Sequence, residues 1–194
     1  MNTLSQIYFD DVYRANEDPW NFVTSEYERD KYKDTIKSLG RDHYQNAFEI
    51  GTSIGVLTAH LAERCNQLLT VDASELPLKQ ARERLKDITH VTIRQMNIPD
   101  QFPDGMFDLI VVSEVAYYWS MNDLRKAQQL MIEHLQPGGQ LLLVHWTPKV
   151  HDYPLTGDEV HEAFLAIARY GHLLYHLHGH RAETYRLDLF ETVH

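Results

Sequence analysis

The chain has 194 residues, 43% hydrophobic and 24% charged, with a formal net charge of -10, which fits a single globular domain with a sizeable core. The acidic balance argues against a nucleic-acid backbone as partner. No apolar run approaches the roughly 20 residues of a membrane span. Asp10, Asp11, Glu17 and Asp18 stand where a signal peptide needs an apolar stretch, so a cytoplasmic protein is expected. Cys65 is the lone cysteine and can form no internal disulfide, which suits a reducing compartment.

Residues 1–24 mix aromatics and acids and read as a helical or irregular arm. Residues 25–39 read as a helix that Ser25 can cap, with Glu28 three residues on, and that Gly40 ends. Apolar strand-like runs then alternate with helical ones. Strands are expected near 46–51, 68–72, 91–95, 107–112 and 140–146, and helices near 54–65, 75–87, 122–135 and 157–169. The continuous run Leu109-Ile-Val-Val112 suits a strand buried on both faces. Pro137-Gly138-Gly139 should end a helix and turn into the next strand. Segments 173–180 and 184–192 alternate and are joined by Gly179-His-Arg-Ala182, which predicts an antiparallel pair. The expected fold is α/β: a doubly wound, Rossmann-like open sheet, mostly parallel, with an antiparallel C-terminal hairpin and an N-terminal helical arm. Residues 1–194 are expected to be one domain, with 1–40 as a cap or lid and 41–194 as the cofactor-binding core.

The most informative stretch is Glu49-Ile-Gly51-Thr-Ser53-Ile-Gly55, followed by a second apolar run that ends in Asp72. A glycine-spaced turn between strand and helix lets the backbone approach a nucleoside cofactor, and an acid on the next strand takes the ribose hydroxyls. Glu49 would repel a pyrophosphate. It would tolerate S-adenosylmethionine, which carries an amino group and a sulfonium and no phosphate. The segment resembles motif I of the class I S-adenosylmethionine-dependent methyltransferases, in which a third glycine usually stands at the place of Ser53. The resemblance implies cofactor contacts from Glu49, Gly51, Thr52, Ser53, Gly55, Asp72, Ala73 and Ser113. The same residues also spell G-x-S-x-G, the nucleophile elbow of the α/β-hydrolases, with Ser53 as nucleophile. That elbow follows several strands, whereas this motif follows the first, and Glu49 has no role in its chemistry.

Asn97, at the end of the third strand, occupies a region where family members often place an acid on the adenine amino group, and its side-chain oxygen can accept the same hydrogen bond. Met96 and Ile98 either flank the adenine ring or pack in the core. In Ser113-Glu114-Val-Ala-Tyr117-Tyr118-Trp119 a buried strand opens into a polar and aromatic loop. Ligands of open α/β sheets bind outside the carboxyl ends of strands, so Glu114, Tyr117 and Tyr118 are candidates to meet a methyl acceptor. The alternative is that the tyrosines pack the next helix. Asp108 is read as holding a turn. His145 ends the fifth strand at the same rim. It either orients the acceptor and takes its proton or is a packed, hydrogen-bonded residue. His176, His178 and His180 alternate along one strand and would share one face. With His172 nearby they complete no ligand pattern, and no metal is expected.

Asp18-Pro-Trp20, Ser25-Glu-Tyr27-Glu and Lys31-Tyr32, together with motif I, Leu109 to Tyr118 and the segment from His145 to Asp158, resemble the NodS-like group of S-adenosylmethionine methyltransferases. The resemblance runs from about residue 17 onward. It implies that the arm closes over cofactor and acceptor, with Trp20 and Tyr27 in contact there. The implied reaction is direct displacement by a nitrogen of a small-molecule amine or amino sugar, with S-adenosylmethionine as cofactor and S-adenosylhomocysteine as product. An oxygen acceptor, a non-catalytic S-adenosylmethionine-binding protein and an NAD-linked oxidoreductase are the alternatives. A small-molecule acceptor is the expected partner, without nucleic acid or membrane, for a monomer or homodimer.

Overall fold

The computed structural model describes residues 1–193. Two helices lead the chain, α1 (Gln6–Ala15) and α2 (Glu26–Lys37). The rest alternates: β1 (Tyr44–Ile50), α3 (Val56–Ala62), β2 (Cys65–Asp72), α4 (Glu75–Arg84), β3 (Val91–Gln95) and β4 (Phe107–Ser113). A 3₁₀ turn at Ala116–Tyr118 precedes α5 (Met121–Glu133), β5 (Leu135–Trp146), α6 (Gly157–Arg169), β6 (Leu174–Arg181) and β7 (Tyr185–Thr192). The strands form one seven-stranded sheet in the order β3-β2-β1-β4-β5-β7-β6. Neighbours from β3 through β5 run parallel, and β7 is antiparallel to both β5 and β6. This is the mostly parallel, doubly wound sheet with an antiparallel tail that the alternation predicts. Among the described residues no helix is long and apolar enough to cross a membrane.

Alternation along the buried strands feeds two cores. Phe48, Ile50, Ile110, Val112, Leu141 and Leu143 face one cluster, which α5 and α6 complete with Leu124, Met131, Val160 and Phe164. Ala47, Leu109, Val111, Leu142 and Val144 face the other, with Leu57 and Leu61 of α3. The strands are apolar on both sides because helices cover both. The helix starts use polar caps: Ser25, Ser74 and Ser120 accept from backbone N–H groups in the first turn. Thr156 and Glu159 form a reciprocal capping box at α6.

Four local expectations need correction. The third helix is shorter than 54–65, because β2 already begins at Cys65. Residues 137–139 lie within β5: Phe107 pairs with Leu135 and Leu109 with Gln140, so the glycines bulge out opposite Asp108. Asp108 itself accepts from the N–H groups of Gln45 and Asn46 at 2.7 and 2.9 Å. The hairpin turns at 182–184, with Gly179 to Arg181 still paired in β6. A register shift between His176 and His178 sets His176 opposite Phe190 and His178 opposite Leu189. The extra residue moves the two imidazoles to opposite faces, so the three histidines do not line up.

Strand order reverses between β1 and β4, and such a switch point leaves a crevice at the strands' carboxyl ends. Helix α1 packs beside α4. The backbone N–H of Leu4 donates to the Tyr118 carbonyl at 2.9 Å, so the N-terminal arm crosses that crevice.

Candidate active site

The loop from β1 into α3 is shaped by backbone requirements. Gly51 has φ +102°, and a Cβ there would strike the Val115 side chain and lie 3.1 Å from the Ser113 carbonyl. Gly55 has φ +80° and packs its bare Cα face against Ala81, where a Cβ would come within 3.1 Å. Ser53 also adopts a left-handed φ, +48°, which explains why a glycine suits this place in related sequences. Its N–H donates to Asp72 Oδ2 at 2.9 Å, and its hydroxyl meets the Tyr13 hydroxyl at 2.6 Å. Asp72 Oδ1 accepts from the Ser74 N–H at 3.0 Å. Burial outweighs these N–H donors and pushes the Asp72 carboxyl up to about 6.

Glu49 lies beneath this loop, fully buried. Its Oε2 accepts from the Thr58 and Thr70 hydroxyls, each at 2.6 Å. Thr70 is bonded in turn to Thr52 at 2.6 Å. Its Oε1 has no hydrogen-bond partner, and burial pushes the carboxyl up to about 7.

The crevice holds a cavity of about 410 Å³. Gly51, Ser53, Asp72, Ala73, Asn97, Ile98 and Ser113 line it on the loop side, and Glu114, Tyr117 and Tyr118 on the rim side. Trp20 and Tyr27 close it from the arm. Four predicted site residues are not on its wall. Glu49 and Thr52 brace the loop from below, Gly55 packs on α4, and His145 lies behind Tyr117.

The rim is held by paired side chains. Glu114 sits at φ +58°, an uncommon conformation for a residue with a Cβ. Its Oε1 accepts from Lys31 Nζ at 2.6 Å. Its Oε2 accepts from the Tyr117 hydroxyl at 2.7 Å and the Trp146 N–H at 2.9 Å. Tyr117 stacks on Tyr153 with ring centres 5.1 Å apart, and Tyr118 meets the same ring edge-on.

Behind the rim runs a buried polar chain. His145 Nε2 accepts from the Ala116 N–H at 3.2 Å, and its Nδ1 lies 3.1 Å from His161 Nε2. His161 Nδ1 lies 2.6 Å from Asp188 Oδ2. Asp188 also takes His176 and Arg186, at 2.6 and 2.8 Å. The protons then have one consistent arrangement: His161 donates to Asp188, His145 donates to His161, and both imidazoles are neutral. Burial pushes both histidines below the usual range. In this arrangement the one lone pair on His145 is occupied by the Ala116 N–H.

Sequence reasoning missed part of the wall: Phe9 and Tyr13 from α1, Glu28 and Lys31 from α2, and Tyr153. Phe9 and Tyr13 are four residues apart, with Val12 beside them, on a helix that also carries Asp10, Asp11 and Arg14, a one-sided spacing that signals a packed face. Glu28 and Lys31 carried no such signal, since charges in a capped helix normally face water.

A sequence profile described as Nodulation protein S (NodS) matches residues 10–150. Nodulation protein S of Sinorhizobium fredii is 29% identical over 130 residues, which cover 66% of this chain and 60% of that protein. The chain thus spans less than two thirds of the length of this curated relative. A candidate methyltransferase from Pseudomonas syringae is 38% identical, with a TM-score of 0.74, over 86% of this chain and 99% of that one. The N-methyltransferase NodS of Bradyrhizobium japonicum, solved with S-adenosyl-L-homocysteine, superposes with a TM-score of 0.85 at 24% identity, over 97% and 99% of the two chains.

Proposed function

The chain belongs to the Nodulation protein S family, and from that premise we propose that it is an S-adenosylmethionine-dependent methyltransferase acting on a nitrogen of a small-molecule amine or amino sugar. One observation carries the reading. A single cavity joins the glycine loop and Asp72 at one end to the Glu114–Tyr118 rim at the other, so cofactor and acceptor can meet there. The N-methyltransferase in the same fold, with its bound S-adenosylhomocysteine, supports the choice of cofactor and of nitrogen.

The residues fit that cofactor. Gly51 lines the cavity without a side chain, and a Cβ there would push Val115, which lines the same cavity. Asp72 spends one lone pair per oxygen on backbone N–H groups and keeps the others for two ribose hydroxyls. Met96 and Ile98 offer apolar faces on the same wall for the adenine, beside Asn97. Glu49 sets the height of the loop through its two threonines. When bound, S-adenosylmethionine supplies a methyl group already activated on a sulfonium.

The protein's own work is positioning. Aromatic residues of the arm and rim exclude water, and the fixed rim orients the acceptor nitrogen. Well-oriented proximity can contribute roughly 7–11 kcal/mol. Calorimetry tests the proposal: S-adenosylhomocysteine should bind and NAD should not bind comparably. Tight binding of NAD without S-adenosylhomocysteine would overturn it.

A further inference from the structure

At the acceptor end, two carboxylates share one ammonium. Lys31 is 3% exposed, and its Nζ donates to Glu114 Oε1 at 2.6 Å and to Glu28 Oε1 at 3.0 Å. Burial opposes the Lys31 charge, but the two carboxylates outweigh it and hold its pKa above the usual lysine value. Lys31 neutralises one of the two acids, so the trio carries an excess negative charge. All three side chains belong to residues that line the cavity.

The two carboxylates differ in what they have left to offer. Both oxygens of Glu114 are engaged, with Lys31 on one and Tyr117 and Trp146 on the other. Glu28 is 7% exposed, and its Oε2 has no hydrogen-bond partner. Lys31 Nζ is also 3.0 Å from this oxygen, but its hydrogen bond goes to Oε1. A buried carboxylate oxygen whose contact is only this ion pair keeps capacity to accept from a further donor, which a ligand can supply. Burial pushes the Glu28 carboxyl above its ordinary range, against the lowering by Lys31. The surroundings favour a cation. The Tyr27 ring already faces Lys31 Nζ at 5.3 Å and meets Trp146 edge-on at 6.0 Å, and aromatic faces attract ammonium groups.

We propose that Glu28 Oε2 receives the ammonium of the acceptor and takes one of its protons before the freed nitrogen lone pair attacks, so that the cavity selects protonated amines over neutral hydroxyl compounds of the same shape. This deepens the amine reading above and rests on it. Glu114 then has the separate task of fixing Lys31, Tyr117 and Trp146 around that contact.

The sequence has three tryptophans, and Trp20, Trp119 and Trp146 all line the cavity, so intrinsic fluorescence reports its occupancy. The experiment titrates benzylammonium and benzyl alcohol into the full chain saturated with S-adenosylhomocysteine at pH 7. Wild type should bind the ammonium about tenfold or more tighter than the alcohol, the scale of one charged hydrogen bond. Glu28→Gln should weaken ammonium binding by about tenfold and leave alcohol binding within about twofold. Glu28→Asp, which keeps the charge, should retain part of the preference. The Glu28 assignment is overturned if wild type shows no preference for the ammonium, including the case where neither probe binds, or if a folded Glu28→Gln keeps that preference. Calorimetry on the same samples separates the two readings. No S-adenosylhomocysteine binding by wild type removes the methyltransferase proposal. Binding of S-adenosylhomocysteine without ammonium preference removes only the role of Glu28. The wild-type comparison stands even if a variant fails to fold.

Discussion

At the Gly51 end of the cavity the loop takes its shape from main chain; at the Glu114 end side chain is held by side chain. Around Gly51 and Ser53 the shape comes from left-handed backbone and from N–H groups donated to Asp72. Around Glu114 it comes from Lys31, Tyr117 and the buried chain through His145 and His161 to Asp188. The two ends should therefore fail differently when perturbed.

The largest effect belongs to the support of the rim. Asp188→Ala leaves His161, His176 and Arg186 without their shared acceptor. Breaking a buried charged network of this kind costs about 3–5 kcal/mol. Urea denaturation should show that loss, while affinity for S-adenosylhomocysteine in the folded fraction stays near wild type. Equal stability of the two proteins would show that the chain is not the rim's support.

The buried acid beneath the glycine loop and the buried histidines behind the rim titrate in opposite senses. Glu49 is pushed up to about 7 when folded, so the folded state takes its proton first and gains stability as the pH falls from 7 toward the unfolded carboxylate value. His145 and His161 are depressed when folded, so the unfolded chain takes their protons first and stability falls below about pH 6.5. Glu49→Gln removes only the first contribution. From pH 8 to pH 5 this variant should lose stability relative to wild type by about 2–3 kcal/mol. Parallel stability curves for the two proteins would contradict the buried, raised Glu49.

A smaller loss is expected from Asp72→Ala, confined to the cofactor end. Removing a charged acceptor of two hydroxyls should weaken S-adenosylhomocysteine binding by about 1.5–3 kcal/mol, read by calorimetry, with the fluorescence response to benzylammonium preserved once the cofactor site is saturated. An unchanged dissociation constant would take Asp72 out of the site.

The smallest effect belongs to Ser53→Gly. The substitution relieves a left-handed serine, about 1 kcal/mol, and gives up the Tyr13 hydrogen bond, about 0.5–1.5 kcal/mol. The melting temperature should hardly move. Ser53→Ala keeps the strain and loses the bond, so it should be the less stable of the two variants.

The same contrast explains what could be read in advance. Backbone-driven features leave local marks: Gly51 and Gly55 advertise their turn, Asp72 sits at a fixed distance, and continuous apolar runs announce strands covered on both sides. Side-chain partnerships depend on distant segments. Glu28 and Lys31 carry the pattern of an ordinary solvated helix, yet α2 turns both toward the cavity. His145 stands at the end of β5 as its run of residues implies, but its partners come from α6 and β7, through His161 and Asp188. The boundary of the hairpin was misplaced because Gly179 imitates a turn residue while staying in β6, where a Cβ would meet the Asp188 carboxylate.

The register shift in β6 has a further consequence. This strand ends the sheet and exposes Tyr175 and Leu177, the apolar profile that invites another chain to add a strand. A row of regularly spaced free N–H and C=O groups would make that addition easy. The irregularity between His176 and His178 interrupts the row near its middle and twists the strand locally. Restoring a straight edge by deleting Leu177 would turn this border into a template for aggregation.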